Sequence, residues 1–364
     1  MKKEKIARKG ILELKGYVPG KSIEEVEREY GVKRWVKLAS NENLFGPSPR
    51  AIAAIRKEIP TLLFYPEGPC PILRKALAEK YSLPEDGVVI SNGADSVIQM
   101  ITSAFVNEGE EVVMAEPTFP VYANTTQIMG GIPVKVGLKD FTHDLPAMLK
   151  KVNRKTKLVF ICNPNNPTGT TVSQEEFDDF LSRLPNRVIV VLDEAYGDYV
   201  EDPLCPNGLE YVQGKKEVIV LRTFSKVYAL AGLRIGYALG KKELIDCLYQ
   251  VRDPFPVNRL ANVAAIAALE DTDHVLKSVQ FVYEGRKYLY QQLARMGLSY
   301  VPSQANFILI DFERDSEEVS RKLLKEGVII RPGKGWGYPS FARVTIGREE
   351  DNRRFIKALR KVLR

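Results

Sequence analysis

"VIVLRTFSKVYALAGLRIGYALG", residues 218–240, decides how the chain is read. An apolar run ends in Arg222, Thr223, Ser225 and Lys226, and a second apolar run follows through Arg234. A lysine at the end of an apolar strand needs a partner or a covalent task, because stripping water from an ammonium is costly. Outward from this stretch the pattern recurs. Short β-branched runs stand at "VVI" (88), "EVVMA" (111), "VKVGL" (134), "KLVFICNP" (157), "RVIVVLDEAY" (187), "EVIVLRTFSK" (217) and "GLRIGYALG" (232), with longer helical patterns between them. Strands apolar on both faces and separated by helices predict a mostly parallel sheet covered on both sides, an α/β layer fold.

Composition bounds the class. The 364 residues, 45% hydrophobic and 27% charged, suffice for one large and one smaller domain. No apolar run approaches the roughly 20 residues of a membrane span. The basic start "MKKEKIARKG" is followed by "ILELKGYVPG", which breaks before a signal-peptide core could form, so a cytoplasmic protein without a membrane partner is expected. Cys70, Cys162, Cys205 and Cys247 are widely spread, which suggests reduced core residues rather than disulfides or a metal site. The net charge of +7 collects at the two ends. In "RRFIKALRKVLR" the four-residue spacing of Phe355, Leu359 and Leu363 predicts an amphipathic helix with a solvated basic face. No nucleic-acid motif accompanies the charge, and a mildly positive field favours small anionic molecules.

In such folds ligands collect at the carboxyl ends of strands, and the polar residues fall there. "VISNGADSVIQMITSAF" reads as strand, glycine turn and a helix with Ile98, Ile101 and Phe105 on one face; its first turn, Ala94 to Ser96, offers backbone N–H groups to an anion. "VFICNPNNPTG" ends a strand in an amide-rich turn, "VIVVLDEAY" ends another in an acid and a phenol, and "VIVLRTFSK" ends a third in the lysine. Each alone has an ordinary explanation as a helix cap, a surface turn or a snorkelling side chain. Together they describe a site for a phosphorylated pyridine aldehyde held by a lysine Schiff base.

The ordered set resembles the fold-type I aminotransferases that use pyridoxal 5′-phosphate (PLP), and within them the histidinol-phosphate aminotransferases. The motifs run nearly the whole chain: "LKGYVPGKSIEEVEREYG", "LASNENLFGPSP", "YPEG", "NGADS", "PTFPVY", "FTHDL", "CNPNNPTG", "LDEAY", "RTFSKVYALAGLRIG" and "RPGKGWGYPSFARVTIG". Aromatic amino-acid aminotransferases and threonine-phosphate decarboxylase share them, and "NLFG" replaces the commoner "NPLG". The resemblance implies a large domain with a mostly parallel seven-stranded sheet plus a smaller α+β domain. The expected boundaries are an arm over 1–43, a PLP-binding domain over 44–253 and a small domain over 254–364, linked by "DPFPVN".

The resemblance also assigns roles. Lys226 forms the covalent link to PLP and then moves protons, for which burial and nearby positive charge should lower its pKa. Asp193 pairs with the pyridine nitrogen, Tyr196 and Asn166 bond the 3′-oxygen, and Phe119 stacks on the ring where many relatives have tyrosine. Ala94, Asp95, Thr223, Ser225 and Arg234 cup the phosphate, with Tyr65 of "FYPEG" reaching the phosphate of the neighbouring subunit of a homodimer. Arg343 in "ARVTIG" suits an α-carboxylate, since a planar guanidinium binds it bidentately. Arg331 and Tyr17 face the distal part of the substrate. The implied reaction is transamination between histidinol phosphate and 2-oxoglutarate in histidine biosynthesis, with imidazole acetol phosphate and glutamate the substrates in the biosynthetic direction. Tyrosine or phenylalanine transamination is the alternative, followed by the decarboxylase. Asn41 and Asn306 fall near the site without an assigned role.

Overall fold

The computed structural model describes residues 11–14, 23–30 and 35–364. The seven runs form one sheet: β1 (Val88–Ser91), β2 (Glu111–Glu116), β3 (Ile132–Gly137), β4 (Thr156–Cys162), β5 (Ile189–Asp193), β6 (Val218–Thr223) and β7 (Gly236–Leu239). Their order is β1-β7-β6-β5-β4-β2-β3. β7 is antiparallel to both neighbours and the remaining pairs are parallel. The exception has a local cause. A parallel return needs a crossover, usually a helix, whereas β6 and β7 are joined by a loop with one 3-10 turn, Ala231–Leu233. That loop is drawn in by Phe224 N–H donating to Ile235 O at 3.1 Å and Leu230 N–H donating to Phe224 O at 3.0 Å. Lys226 therefore sits in a tight bend rather than on a strand.

β5 is buried throughout, and its side chains alternate between two cores as a period of two requires. Val190 and Leu192 join one with Val159 and Ile161; Ile189 and Val191 join the other with Leu158, Phe160 and Cys162. Apolar residues on both faces leave polar side chains a place only at strand ends, which is what gathers the site there.

A second sheet contains β8 (Tyr300–Val301), β9 (Phe307–Asp311), β10 (Arg331–Pro332) and β11 (Phe341–Thr345), in the antiparallel order β10-β11-β9-β8. It packs with helices Thr272–Arg295 and Glu349–Leu363. In the latter Phe355 and Leu359 are fully buried and Leu363 is half-buried, as the spacing anticipates. Val36 and Lys37 pair in parallel with Val328 and Ile329, and Thr345 N–H donates to Leu38 O at 2.9 Å. The segment after Leu38 is thereby laid beside β11.

The cysteines need a correction. All four are free, but only Cys70 and Cys162 are buried; Cys205 is half-buried and Cys247 exposed. Helix Lys242–Val251 buries Leu244, Ile245 and Leu248, and Cys247 faces outward from that stripe. No helix among the described residues is long and apolar enough to cross a membrane.

Beside the site, Arg222 on β6 donates from Nε (2.9 Å) and Nη2 (2.6 Å) to Glu194 Oε2, and Gly208 N–H donates to Glu194 Oε1 at 2.6 Å. Glu194 is 4% exposed, so the pair clamps the ends of β5 and β6 in a desolvated setting. Removing one partner of a buried pair strands the other charge. Arg222→Met is expected to lower stability in urea unfolding by about 3–5 kcal/mol; a loss below about 1 kcal/mol, the value of an exposed pair, would contradict the clamp.

Candidate active site

The carboxyl ends of β4, β5 and β6, the start of helix Gly93–Phe105 and strand β11 enclose a cavity of about 180 Å³. Every cofactor residue expected from the sequence lines it except Tyr65, and Arg343 lines it too. Tyr65 lies elsewhere, 79% exposed. Arg331 is not in the lining, and Tyr17 falls outside the described residues.

Asp193 ends β5 at 3% exposure. Its Oδ1 accepts the Ala195 N–H at 2.9 Å and its Oδ2 accepts the Tyr122 hydroxyl at 2.5 Å. Burial raises its pKa to about 6 against the lowering effect of those two bonds. Tyr122 is itself fully buried, stacked on Phe160 and edge-on to Phe119. Its position in "PTFPVY", three residues beyond Phe119 on a helix, was the available signal.

Lys226 is half-buried. Its Nζ lies 5.3 Å from the Tyr196 ring centroid and donates to Asn41 O at 3.4 Å. Burial, then the guanidinium of Arg343, pull its pKa down to about 8, with Arg234 adding to the effect and Glu42 and Asp95 opposing it. Tyr196 closes this side. Its phenol oxygen accepts from Asn41 Nδ2 at 3.0 Å and Asn166 Nδ2 at 3.5 Å.

An anion cradle faces them. Helix Gly93–Phe105 begins after Asn92, whose side chain makes no capping bond, so the first-turn N–H groups at Ala94 and Asp95 face the cavity with the positive end of the helix dipole. Thr223 and Ser225 are buried beside them, and Arg234 Nη1 donates to Ser225 Oγ at 3.3 Å. Arg234 Nη2 pairs with Asp95 at 3.2 Å. Glycine is required at two points: a Cβ on Gly93 (φ +82°) would lie 2.6 Å from Arg234 Nη2, and one on Gly236 2.5 Å from Ala94 N.

Arg343 on β11 is 6% exposed. Its guanidinium lies 5.4 Å from the Phe307 and 5.2 Å from the Trp336 ring centroids, and it donates to Ala39 O at 2.7 Å and to Asn166 Oδ1. Arg331 is its direct cross-strand partner. Directly opposed residues share a sheet face, so the two arginine side chains leave their strands on the same side. Asn41, Asn306 and Thr345, none given a role by the sequence, form a buried polar group around the site: Asn306 Nδ2 donates to Asn41 O at 3.1 Å, and Thr345 Oγ1 to Asn41 Oδ1 at 3.2 Å.

Residues 33–359 match the family model described as aminotransferase class I and II. The chain belongs to this family. It is 52% identical over 357 residues to a histidinol-phosphate aminotransferase of Moorella thermoacetica, covering 98% of this chain and 92% of the relative. It is 44% identical to one of Caldicellulosiruptor saccharolyticus, covering 98% and 99%. The structure resembles the histidinol-phosphate aminotransferase of Sinorhizobium meliloti solved in complex with pyridoxal 5′-phosphate, with a TM-score of 0.91 and 29% identity over 98% of this chain and 97% of that one. The family has the fold-type I architecture anticipated from the motifs, and the mixed seven-stranded sheet agrees with it.

A lysine with a pKa near 8 is a neutral amine over much of the mildly alkaline range, where a surface lysine is not. Labelling of Lys226 in the aldehyde-free protein by a small amine-reactive reagent, followed by peptide mapping, should reach half its maximal rate near pH 8. Arg343→Leu removes a charge that disfavours the ammonium and should move that midpoint upward. A midpoint near the ordinary lysine value in the unaltered protein would contradict the assigned environment.

Proposed function

We propose that this chain is a homodimeric, PLP-dependent aminotransferase acting on histidinol phosphate with 2-oxoglutarate, and on imidazole acetol phosphate with glutamate in the reverse, biosynthetic direction. The single observation that carries the substrate reading is the Arg331–Arg343 register, which puts a second arginine directly opposite the one that lines the lysine pocket. The names of the relatives at 52% and 44% identity support it.

The residues present fit PLP. A buried carboxylate with a raised pKa at one end of the cavity suits a ring N–H, and a helix start with Arg234 and two hydroxyls at the other suits a phosphate. Asp193 would hold the pyridine nitrogen, Tyr196 and Asn166 the 3′-oxygen, Phe119 the ring face, and Ala94, Asp95, Thr223, Ser225 and Arg234 the phosphate. When bound, PLP supplies an electron sink for the pair left when the substrate Cα loses its proton. Lys226 would carry the aldehyde and move that proton, its lowered pKa keeping a useful fraction of free amine near neutrality. Asp193, fixed by Tyr122 and Ala195, would keep the ring nitrogen protonated. Arg343 would hold the α-carboxylate of glutamate, and Arg331 with Tyr17 the distal end of either substrate.

An apolar strip supports the dimer. Leu62, Leu63, Phe64 and Tyr65 are 52%, 76%, 62% and 79% exposed, and Tyr65 stacks on Phe255 at 4.7 Å. Arg259 anchors the strip through Glu58, Thr61 and the Tyr65 carbonyl. Contiguous exposed apolar surface marks an interaction site, and a neighbouring subunit there would bring its own Tyr65 toward this cavity. The domain division follows the same reading: an arm over 1–43, a PLP-binding domain over 44–253 and a small domain over 254–364.

Turnover of histidinol phosphate against tyrosine and phenylalanine, with 2-oxoglutarate as acceptor, tests the substrate directly. Lys226→Ala should retain PLP without transaminating. Arg331→Ala should lower kcat/KM for histidinol phosphate by about tenfold to a hundredfold through lost charge-assisted bonds. Arg343→Ala should impair glutamate more than histidinol phosphate, which has no carboxylate; a shared loss through the raised Lys226 pKa is expected for both. Should tyrosine prove the better substrate and Arg331→Ala leave histidinol phosphate turnover intact, the aromatic reading replaces this one.

A further inference from the structure

Asn41 is 1% exposed and holds a left-handed backbone, φ +57°, a conformation asparagine tolerates better than most residues. Its bonds fix one another in sequence. The Asn41 N–H donates to Thr345 Oγ1 at 3.0 Å. A threonine hydroxyl has one proton; with a lone pair taken by that N–H, the proton is directed to Asn41 Oδ1 at 3.2 Å. The amide oxygen therefore faces Thr345, and the amide nitrogen is left facing Tyr196 Oη at 3.0 Å.

The same logic applies at Asn166. Its Oδ1 accepts from Arg343 Nη1, which turns its Nδ2 toward the Tyr196 oxygen at 3.5 Å. Two amide nitrogens thus point at one phenol oxygen. Donors cannot accept the phenol proton, so it is directed away from both and into the cavity that Tyr196 lines. Each amide is oriented by a residue of β11, Asn41 by Thr345 and Asn166 by Arg343.

We propose that Asn41 is a positioning residue which, oriented by Thr345, fixes the Tyr196 phenol as a hydrogen-bond donor into the cavity and ties that donor to the strand carrying Arg343. The inference rests on the reading above, in which Tyr196 faces the 3′-oxygen of PLP. A donor there stabilises negative charge on that oxygen, so its loss shifts the protonation of the bound cofactor to higher pH.

Asn41→Gly removes the side chain and keeps a residue at ease with positive φ. The measurement is the pH titration of the visible absorbance of the resting holoenzyme, without substrate. Asn41→Gly and Thr345→Val should each raise the midpoint by about half a unit to one unit, the worth of one hydrogen bond, and Thr345→Ser should restore the wild-type value. In a Tyr196→Phe background Asn41→Gly should add nothing. An unchanged midpoint in Asn41→Gly, or an equal shift with and without the Tyr196 hydroxyl, overturns the inference. A wild-type protein that shows no visible band with PLP sinks the functional reading itself, and with it the ground for this one.

Discussion

The site depends on desolvating a carboxylate fully and an ammonium in part without letting them neutralise each other. Asp193 and Lys226 belong to adjoining strand ends, β5 and the bend after β6. Burial is the largest influence on both, raising the acid to about 6 and lowering the amine to about 8. Asp193 is instead satisfied by Tyr122 and Ala195, and the influences on Lys226 are led, after burial, by Arg343. A direct ion pair would give stability but leave neither group for a ligand. The hydrogen bonds around Asp193 and the loop closure around Lys226 make their separation sustainable.

That requirement explains why the site lies where the fold is most apolar. β4, β5 and β6 bury both faces, so the sheet acts as a dry wall from which only terminal residues project. The Arg222–Glu194 clamp holds two of those ends in register. The short return from β6 into β7 does the rest, since a helical crossover there would carry Lys226 and Arg234 away from each other.

The strands and their polar ends were legible in the sequence because each is a local pattern: an apolar run followed within a few residues by Asp193, Thr223 or Asn166. Their convergence was legible from the general placement of ligands at the carboxyl ends of such sheets. What escaped was set by contacts without a local signature. Tyr122 meets Asp193 across 71 residues, and Asn41 meets Thr345 across 304. The antiparallel turn of β7 depended on loop length, and the outward face of Cys247 on which helix stripe the core took. Arg331 could be named from its motif, but its register opposite Arg343 exists only once β10 and β11 pair.

β11 couples these features. Successive side chains of a strand alternate between its faces, so Arg343 and Thr345, two apart, point the same way. One therefore meets Asn166 and the other Asn41, the two amides that converge on the Tyr196 phenol. A displacement of β11 cannot alter the grip of Arg343 without also moving the donors on that phenol. Anion recognition and the hydrogen-bond direction at Tyr196 are two faces of one strand position, imposed by the period of the β-strand rather than by any single residue.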